Sequence, residues 1–196
     1  MAKPPDKTAL RVQLRALRRR LALEVPDAAE RAAHRLPLSR FSRFRDVAAY
    51  WPVGAELDPE PVLHAILDLN AGRAKACLPT AIDRDSPLRF RLWRPGEALA
   101  ADVFGIPSPP ASAPEVTPSL VIAPLLAFDR SGGRLGQGGG HYDRTLAALR
   151  KARPIFVLGL AFSGQEIEAI ATEPHDQRLD AIVTETEFIE VGGVSR

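Results

Sequence analysis

A chain of 196 residues with 45% hydrophobic and 26% charged content is long enough to bury a substantial core, and its composition is neither disordered nor fibrous. The single cysteine, Cys77, excludes an internal disulfide framework. No 18-residue apolar run or signal-peptide core is visible, so a cytoplasmic address with no membrane partner is expected. The formal charge of +2 hides an asymmetry: residues 1–45 carry 12 Lys/Arg against 4 Asp/Glu, and residues 46–196 carry 14 against 20.

Residues 1–6 read as a flexible polar tail, and residues 7–25 as a basic helix. Leu10, Leu14, Leu17 and Leu21 recur at intervals of four, three and four, which places them on one apolar stripe. Lys7, Arg11, Arg15 and Arg18 follow a neighbouring line, and their spacing by itself describes a solvated basic face. The basic arm raises nucleic-acid binding as a rival reading, but no aromatic residue is interleaved with its charges as single-strand binding usually requires. Pro26-Asp27 then starts a shorter helix from Ala28 to Leu36.

Asp46–Trp51 reads as a strand, followed by a loop containing Gly54 and Glu56. Asp58 is the expected N-cap, with Pro59 at the first helical position, of a helix that stops at Gly72. Ala74–Leu78 is the next strand, giving a βαβ unit and a parallel pair. Trp51 and Glu56 fall beyond a strand's carboxyl end, where such sheets bind ligands. Leu88–Trp93 alternates apolar and basic residues and is expected at an edge. Residues 94–119 hold six of the 18 prolines and read as a long ordered loop that crosses the surface and borders the ligand cleft. Buried strands are expected at Leu120–Leu126 and Pro154–Phe162, a helix at Tyr142–Lys151, and short strands at Ile182–Val183 and Phe188–Val191. Asp83, Asp85 and Asp102 read as loop charges, and His34 and His64 as helix-surface histidines. The whole, residues 1–196, is expected to be one α/β domain of three layers around a mostly parallel sheet.

The stretch Ser131-Gly-Gly-Arg-Leu-Gly-Gln-Gly-Gly-Gly-His-Tyr-Asp-Arg144 stands between an apolar strand and a helix. Strand, glycine loop and helix together can turn several backbone N–H groups and a helix N-terminus onto one anion. Arg134 adds a guanidinium fork suited to phosphate or carboxylate. The loop is no P-loop, because Gly139-Gly140 stands where Lys-Ser/Thr is required, and it lacks the G-x-G-x-x-G pattern. Spacing alone describes an anion or nucleotide loop of unfamiliar type.

Gly133-Arg-Leu-Gly-Gln-Gly-Gly-Gly-His-Tyr-Asp-Arg144 resembles the signature of the 5-formyltetrahydrofolate cyclo-ligase family. Three further blocks occur in the family's order: the basic helix with Lys7 and Arg11, Trp51-Pro-Val-Gly-Ala-Glu-Leu-Asp58, and Pro174-His-Asp-Gln-Arg-Leu-Asp-Ala-Ile-Val-Thr-Glu185. One position departs from the pattern: His141 replaces an aromatic residue before Tyr142. The resemblance implies a fold similar to the ribose-phosphate isomerase and coenzyme A transferase group. It also implies ATP- and Mg²⁺-dependent closure of 5-formyltetrahydrofolate to 5,10-methenyltetrahydrofolate, with ADP and phosphate as products and an N5 iminium phosphate as intermediate.

For the residues, the resemblance implies that Lys7, Arg11, Arg134, Leu135, Gly136, Gln137, Gly138, Gly139, Gly140, His141 and Tyr142 contact ATP. Arg134 and Tyr142 are the implied catalytic residues, and Asp143 and Asp176 the implied Mg²⁺ ligands. Folate falls to Trp51, Glu56 and the Gln137–His141 segment, with Glu56 on the pterin ring. Arg15 and Arg18–Arg20 remain solvated charge in this reading. The expected partners are ATP and 5-formyltetrahydrofolate, polyglutamylated or not, and the expected state is a monomer or weak oligomer. Two rivals stand beside it: a basic-arm nucleic-acid binder, and a family member that binds its ligands without turnover.

Overall fold

A computed structural model describes residues 7–192; the expected tail at residues 1–6 lies outside them. The helices are α1 (Lys7–Glu24), α2 (Ala28–Arg35), α3 (Glu60–Leu69) and α4 (His141–Ala152). Strands β1 (Asp46–Ala48), β2 (Lys75–Thr80), β3 (Arg89–Leu92), β4 (Ala100–Ala101), β5 (Pro107–Ser108) and β6 (Glu115–Val116) come from the first part of the chain. They are followed by β7 (Leu120–Ala123), β8 (Ala127–Phe128), β9 (Arg134–Leu135), β10 (Phe156–Leu160), β11 (Ala181–Val183) and β12 (Phe188–Glu190).

Eight strands form one sheet in the order β12-β11-β10-β7-β1-β2-β3-β6. The five from β11 to β2 run parallel, and β12 and β3 pair antiparallel at the two flanks. Strands buried on both faces need apolar residues at every position, and β7 reads Leu-Val-Ile-Ala with all four buried. Leu120 and Ile122 join a core with α2 and α3, while Val121 and Ala123 join a second core with Leu146 of α4. Period-two alternation across the sheet thus makes three layers, as the sequence implied.

Helix α1 meets the first core only near its C-terminal end, through Leu21 and Ala22, and elsewhere packs on a third cluster. Leu14 packs with Leu126, Ala127 and Leu135, and Leu10 and Leu17 pack against that cluster. The expected leucine stripe therefore seats the helix on the β8–β9 hairpin, beside the carboxyl ends of the parallel strands. Among the described residues no helix is long and apolar enough to cross a membrane.

Several boundaries differ from expectation. The Leu88–Trp93 strand is not an edge, because β6 pairs beyond it; the Pro-rich stretch folds back and Arg91 bonds the carbonyls of Ala111 and Ala113. That stretch also forms the small β4–β5 hairpin. The run Leu120–Leu126 breaks at Pro124, after which β8 pairs antiparallel with β9 instead of continuing the sheet. Pro59 is the N-cap residue of α3, and Asp58 contributes by accepting the Glu60 N–H at 2.9 Å. The same helix ends before Gly72 because buried Asn70 folds its amide back to the Ile66 carbonyl. Cys77 is buried.

Candidate active site

The first two glycines of the loop serve the hairpin rather than a ligand. Asp129 Oδ1 accepts the N–H groups of Ser131 and Gly133 at 2.9 and 3.0 Å, and Oδ2 accepts that of Ile170 at 2.8 Å. Burial raises the Asp129 pKa, but these bonds and that from the Ser131 hydroxyl prevail, so the carboxyl lies below its ordinary value. A Cβ on Gly133 would stand 2.3 Å from Asp129 Oδ2, which explains the glycine there. Nothing in the spacing of Ser131–Arg144 separated these glycines from the following ones.

The hairpin returns the chain at Arg134, and residues 136–140 then border a cavity of about 750 Å³ before α4 begins. Gly138 and Gly140 have φ of 102° and 69°, conformations that favour glycine. The volume lies in the usual range for ligand sites, roughly 300–1,000 Å³.

Arg134 is nearly buried, with Nη2 2.6 Å from Asp143 Oδ1 and its guanidinium 5.7 Å from the centroid of the Tyr142 ring. The Tyr142 phenol is pushed up by burial first and by the charge of Glu56 second, with Arg134 opposing. Three buried polar atoms among the cavity residues, Tyr142 Oη and the Nε atoms of Arg134 and Arg18, have no partner among the described residues. Unmet donors beside a cavity suit a polar ligand.

Helix α1 closes the cavity with the charged line parallel to its leucine stripe. Lys7 Nζ lies 2.6 Å from Glu173 Oε1 and 3.9 Å from Asp176 Oδ2. Arg11 Nε donates to the Gly136 carbonyl at 3.1 Å. Two residues expected to be free solvated charge instead bond distant segments. Arg15 Nε donates to Gln137 Oε1 at 2.8 Å, and Arg18 is only 5% exposed, with Nη1 3.2 Å from Glu56 Oε1. Spacings of four, four and three residues keep all four cations on one helix face, so docking one member on the cavity docks the rest. Arg19 also borders the cavity, while Arg20 pairs outward with Glu24.

Glu56 is almost fully buried; Oε2 accepts the Val53 N–H at 3.0 Å, and Gln137 Nε2 reaches Oε1 at 3.5 Å. Trp51 is 37% exposed at the rim, edge-on to Trp93. His141 Nε2 stands 3.3 Å from the Asp83 carbonyl oxygen, and its ring lies edge-on to Phe104. Phe104, at the tip of the β4–β5 hairpin, borders the cavity, as expected of the Pro-rich stretch, although its sequence did not single out Phe104.

Asp143 and Asp176 both border the cavity, and the Gln177 N–H donates to Asp143 Oδ1 at 3.1 Å, tying the two segments together. Oδ2 of Asp176 accepts the Glu173 N–H at 2.7 Å. Among the described residues no group of three or more His, Cys, Asp or Glu could hold a metal ion. A pair of carboxylates instead suits Mg²⁺, which keeps several waters and takes one or two carboxylates with substrate phosphates. Every residue that the resemblance assigned, from Lys7 to Asp176, therefore lies around one cavity.

Comparison with known proteins identifies the family. The model of the 5-formyltetrahydrofolate cyclo-ligase family matches residues 3–185. The 5-formyltetrahydrofolate cyclo-ligase of Mycolicibacterium smegmatis is 35% identical over 151 residues, covering 71% of this chain and 73% of that protein. The enzyme of the same name from Escherichia coli K12 is 32% identical over 151 residues, covering 74% and 80%. The solved 5,10-methenyltetrahydrofolate synthetase of Aquifex aeolicus superposes with a TM-score of 0.73 at 26% identity, covering 97% of this chain and 95% of that one. With a match that spans nearly its whole length, this chain belongs to the 5-formyltetrahydrofolate cyclo-ligase family.

Proposed function

We propose that this protein closes 5-formyltetrahydrofolate to 5,10-methenyltetrahydrofolate, with ATP as co-substrate, Mg²⁺ as cofactor, and ADP and phosphate as products. The observation that carries the reading is the polarity of the cavity along α1. Lys7 stands at the Asp176 end and Arg18 at the Glu56 end, 11 residues apart, or about 16 Å along a helix. That length suits a triphosphate at one end and a pterin at the other in this reading, with the Gly136–Gln137 segment, bonded by Arg11 and Arg15, between them.

In this reading Lys7, Arg11 and the backbone of residues 134–140 hold the triphosphate, and Arg134 faces the phosphoryl group in transfer. A formamide oxygen is a poor leaving group, and phosphorylating it makes an N5 iminium phosphate. N10 then attacks the activated carbon, the N10–C bond forms, and the C–O bond breaks as phosphate leaves. The protein supplies no nucleophile; it positions two substrates and offsets developing charge. Asp143 and Asp176 would hold Mg²⁺, which neutralises phosphate charge when bound. Glu56 accepts pterin N–H groups, Trp51 borders the ring, and Gln137–Tyr142 lies between the two substrates.

The test is to mix purified protein with 5-formyltetrahydrofolate, ATP and Mg²⁺ and follow the absorbance of methenyltetrahydrofolate. ATP-dependent product is expected. Absence of product while both ligands still bind would overturn the reading in favour of a binding module.

A further inference from the structure

Arg18 is the most deeply placed cation of the α1 face, and the reaction as described gives it no task. Its side chain is 6% exposed and that of Glu56 is 7% exposed, so the two charges face each other almost without water. One nitrogen, Nη1, serves both the Glu56 carboxylate and the Leu125 carbonyl at 3.3 Å, which anchors the guanidinium to the loop after β7. Glu56 is held from its other side by the Val53 N–H. A buried carboxylate without a counter-charge is costly, and removing one partner of a buried pair leaves the other uncompensated.

We propose that Arg18 is the positioning residue for Glu56. It keeps that carboxylate turned so that its remaining lone pairs accept ring N–H groups of the folate. This rests on the assignment of Glu56 to the folate half of the cavity.

The test compares Arg18→Met, Arg18→Lys, Glu56→Gln and the Arg18→Met/Glu56→Gln double variant. Its readouts are the KM for each substrate and direct binding of 5-formyltetrahydrofolate without ATP. A hydrogen bond to a charged group is worth about 1.5–3 kcal/mol, so Arg18→Met should weaken folate binding about tenfold or more. The ATP KM should stay close to wild type, and Arg18→Lys should recover part of the loss. The double variant should bind folate no worse than the weaker single variant, because each substitution disables the same carboxylate. Multiplying effects, or equal rises in both KM values, would overturn the proposal. Wild-type folate binding in Glu56→Gln would sink the folate assignment itself. Impaired Glu56→Gln beside an unimpaired Arg18→Met would sink only the role of Arg18. If Arg18→Met fails to fold, Arg18→Lys and Arg18→Gln carry the same comparison, with thermal unfolding as the control.

Discussion

Arg134 is held between Asp143 and the face of Tyr142, and its Nε is left without a partner among the described residues. A fork fixed in this way loses little entropy on meeting a phosphoryl oxygen, which is the condition for electrostatic stabilisation of a transition state. Arg134→Ala should therefore lower kcat by an amount equivalent to about 2–4 kcal/mol of lost stabilisation. An unchanged kcat at saturating substrates would exclude the role. Asp143 gives one carboxylate oxygen, Oδ1, to Arg134 and Gln177. Asp143→Asn keeps the shape but removes the charge, so half-maximal activity should require more Mg²⁺. A magnesium titration matching wild type would show that Asp143 serves Arg134 and not the metal.

At the scale of elements, the β8–β9 hairpin decides where the glycine loop bordering the cavity begins. Asp129 ties its turn and reaches Ile170 across the chain. Because the folded carboxyl has a depressed pKa, its contribution to stability is present above the ordinary unfolded value and lost as pH falls through the folded one. Stability should thus begin to fall below about pH 4, the unfolded aspartate range. Asp129→Asn should be less stable at neutral pH and show a flatter fall in acid. Melting temperatures measured from pH 7 downward give the answer, and parallel curves for the two proteins would exclude the mechanism. The sequence marked this stretch as a phosphate-type loop, and it does border the cavity. It could not show that Gly132 and Gly133 belong to a turn, because that depends on Asp129 folding back and on Leu179, whose carbonyl oxygen lies 2.7 Å from a Cβ on Gly132.

For the whole molecule, α1 is the element whose docking completes the site. It is held by Leu14 and its neighbours on the hairpin. Leu14→Ala should cost about 2–5 kcal/mol of stability, since the side chain is buried. Because the helix carries cations for both halves of the cavity, KM for ATP and for folate should rise together. Calorimetry with steady-state kinetics checks both, and a loss of stability that spared both KM values would separate the docking of α1 from substrate binding.

The amino-acid sequence determined the architecture and the address of the site. The continuous apolar runs Leu120–Ala123 and Phe156–Leu160 are too short for helices and read as buried strands, and the leucine stripe of α1 reads as a packed helix face. The glycine signature and the blocks around Lys7, Glu56 and Asp176 pointed to one cavity, and one cavity holds them. Tertiary structure decided the rest. Arg15 and Arg18 have the same chemistry as Arg20, yet two are bound into the cavity and one pairs with Glu24 at the surface. Local sequence could not separate them, because what distinguishes them is a partner far along the chain: Gln137 for Arg15 and Glu56 for Arg18. Phe104 reached His141 for the same reason, through the fold-back of a proline-rich stretch that has no period of its own. Periodicity records which face of an element is apolar; which charge loses its water is fixed only when distant segments meet.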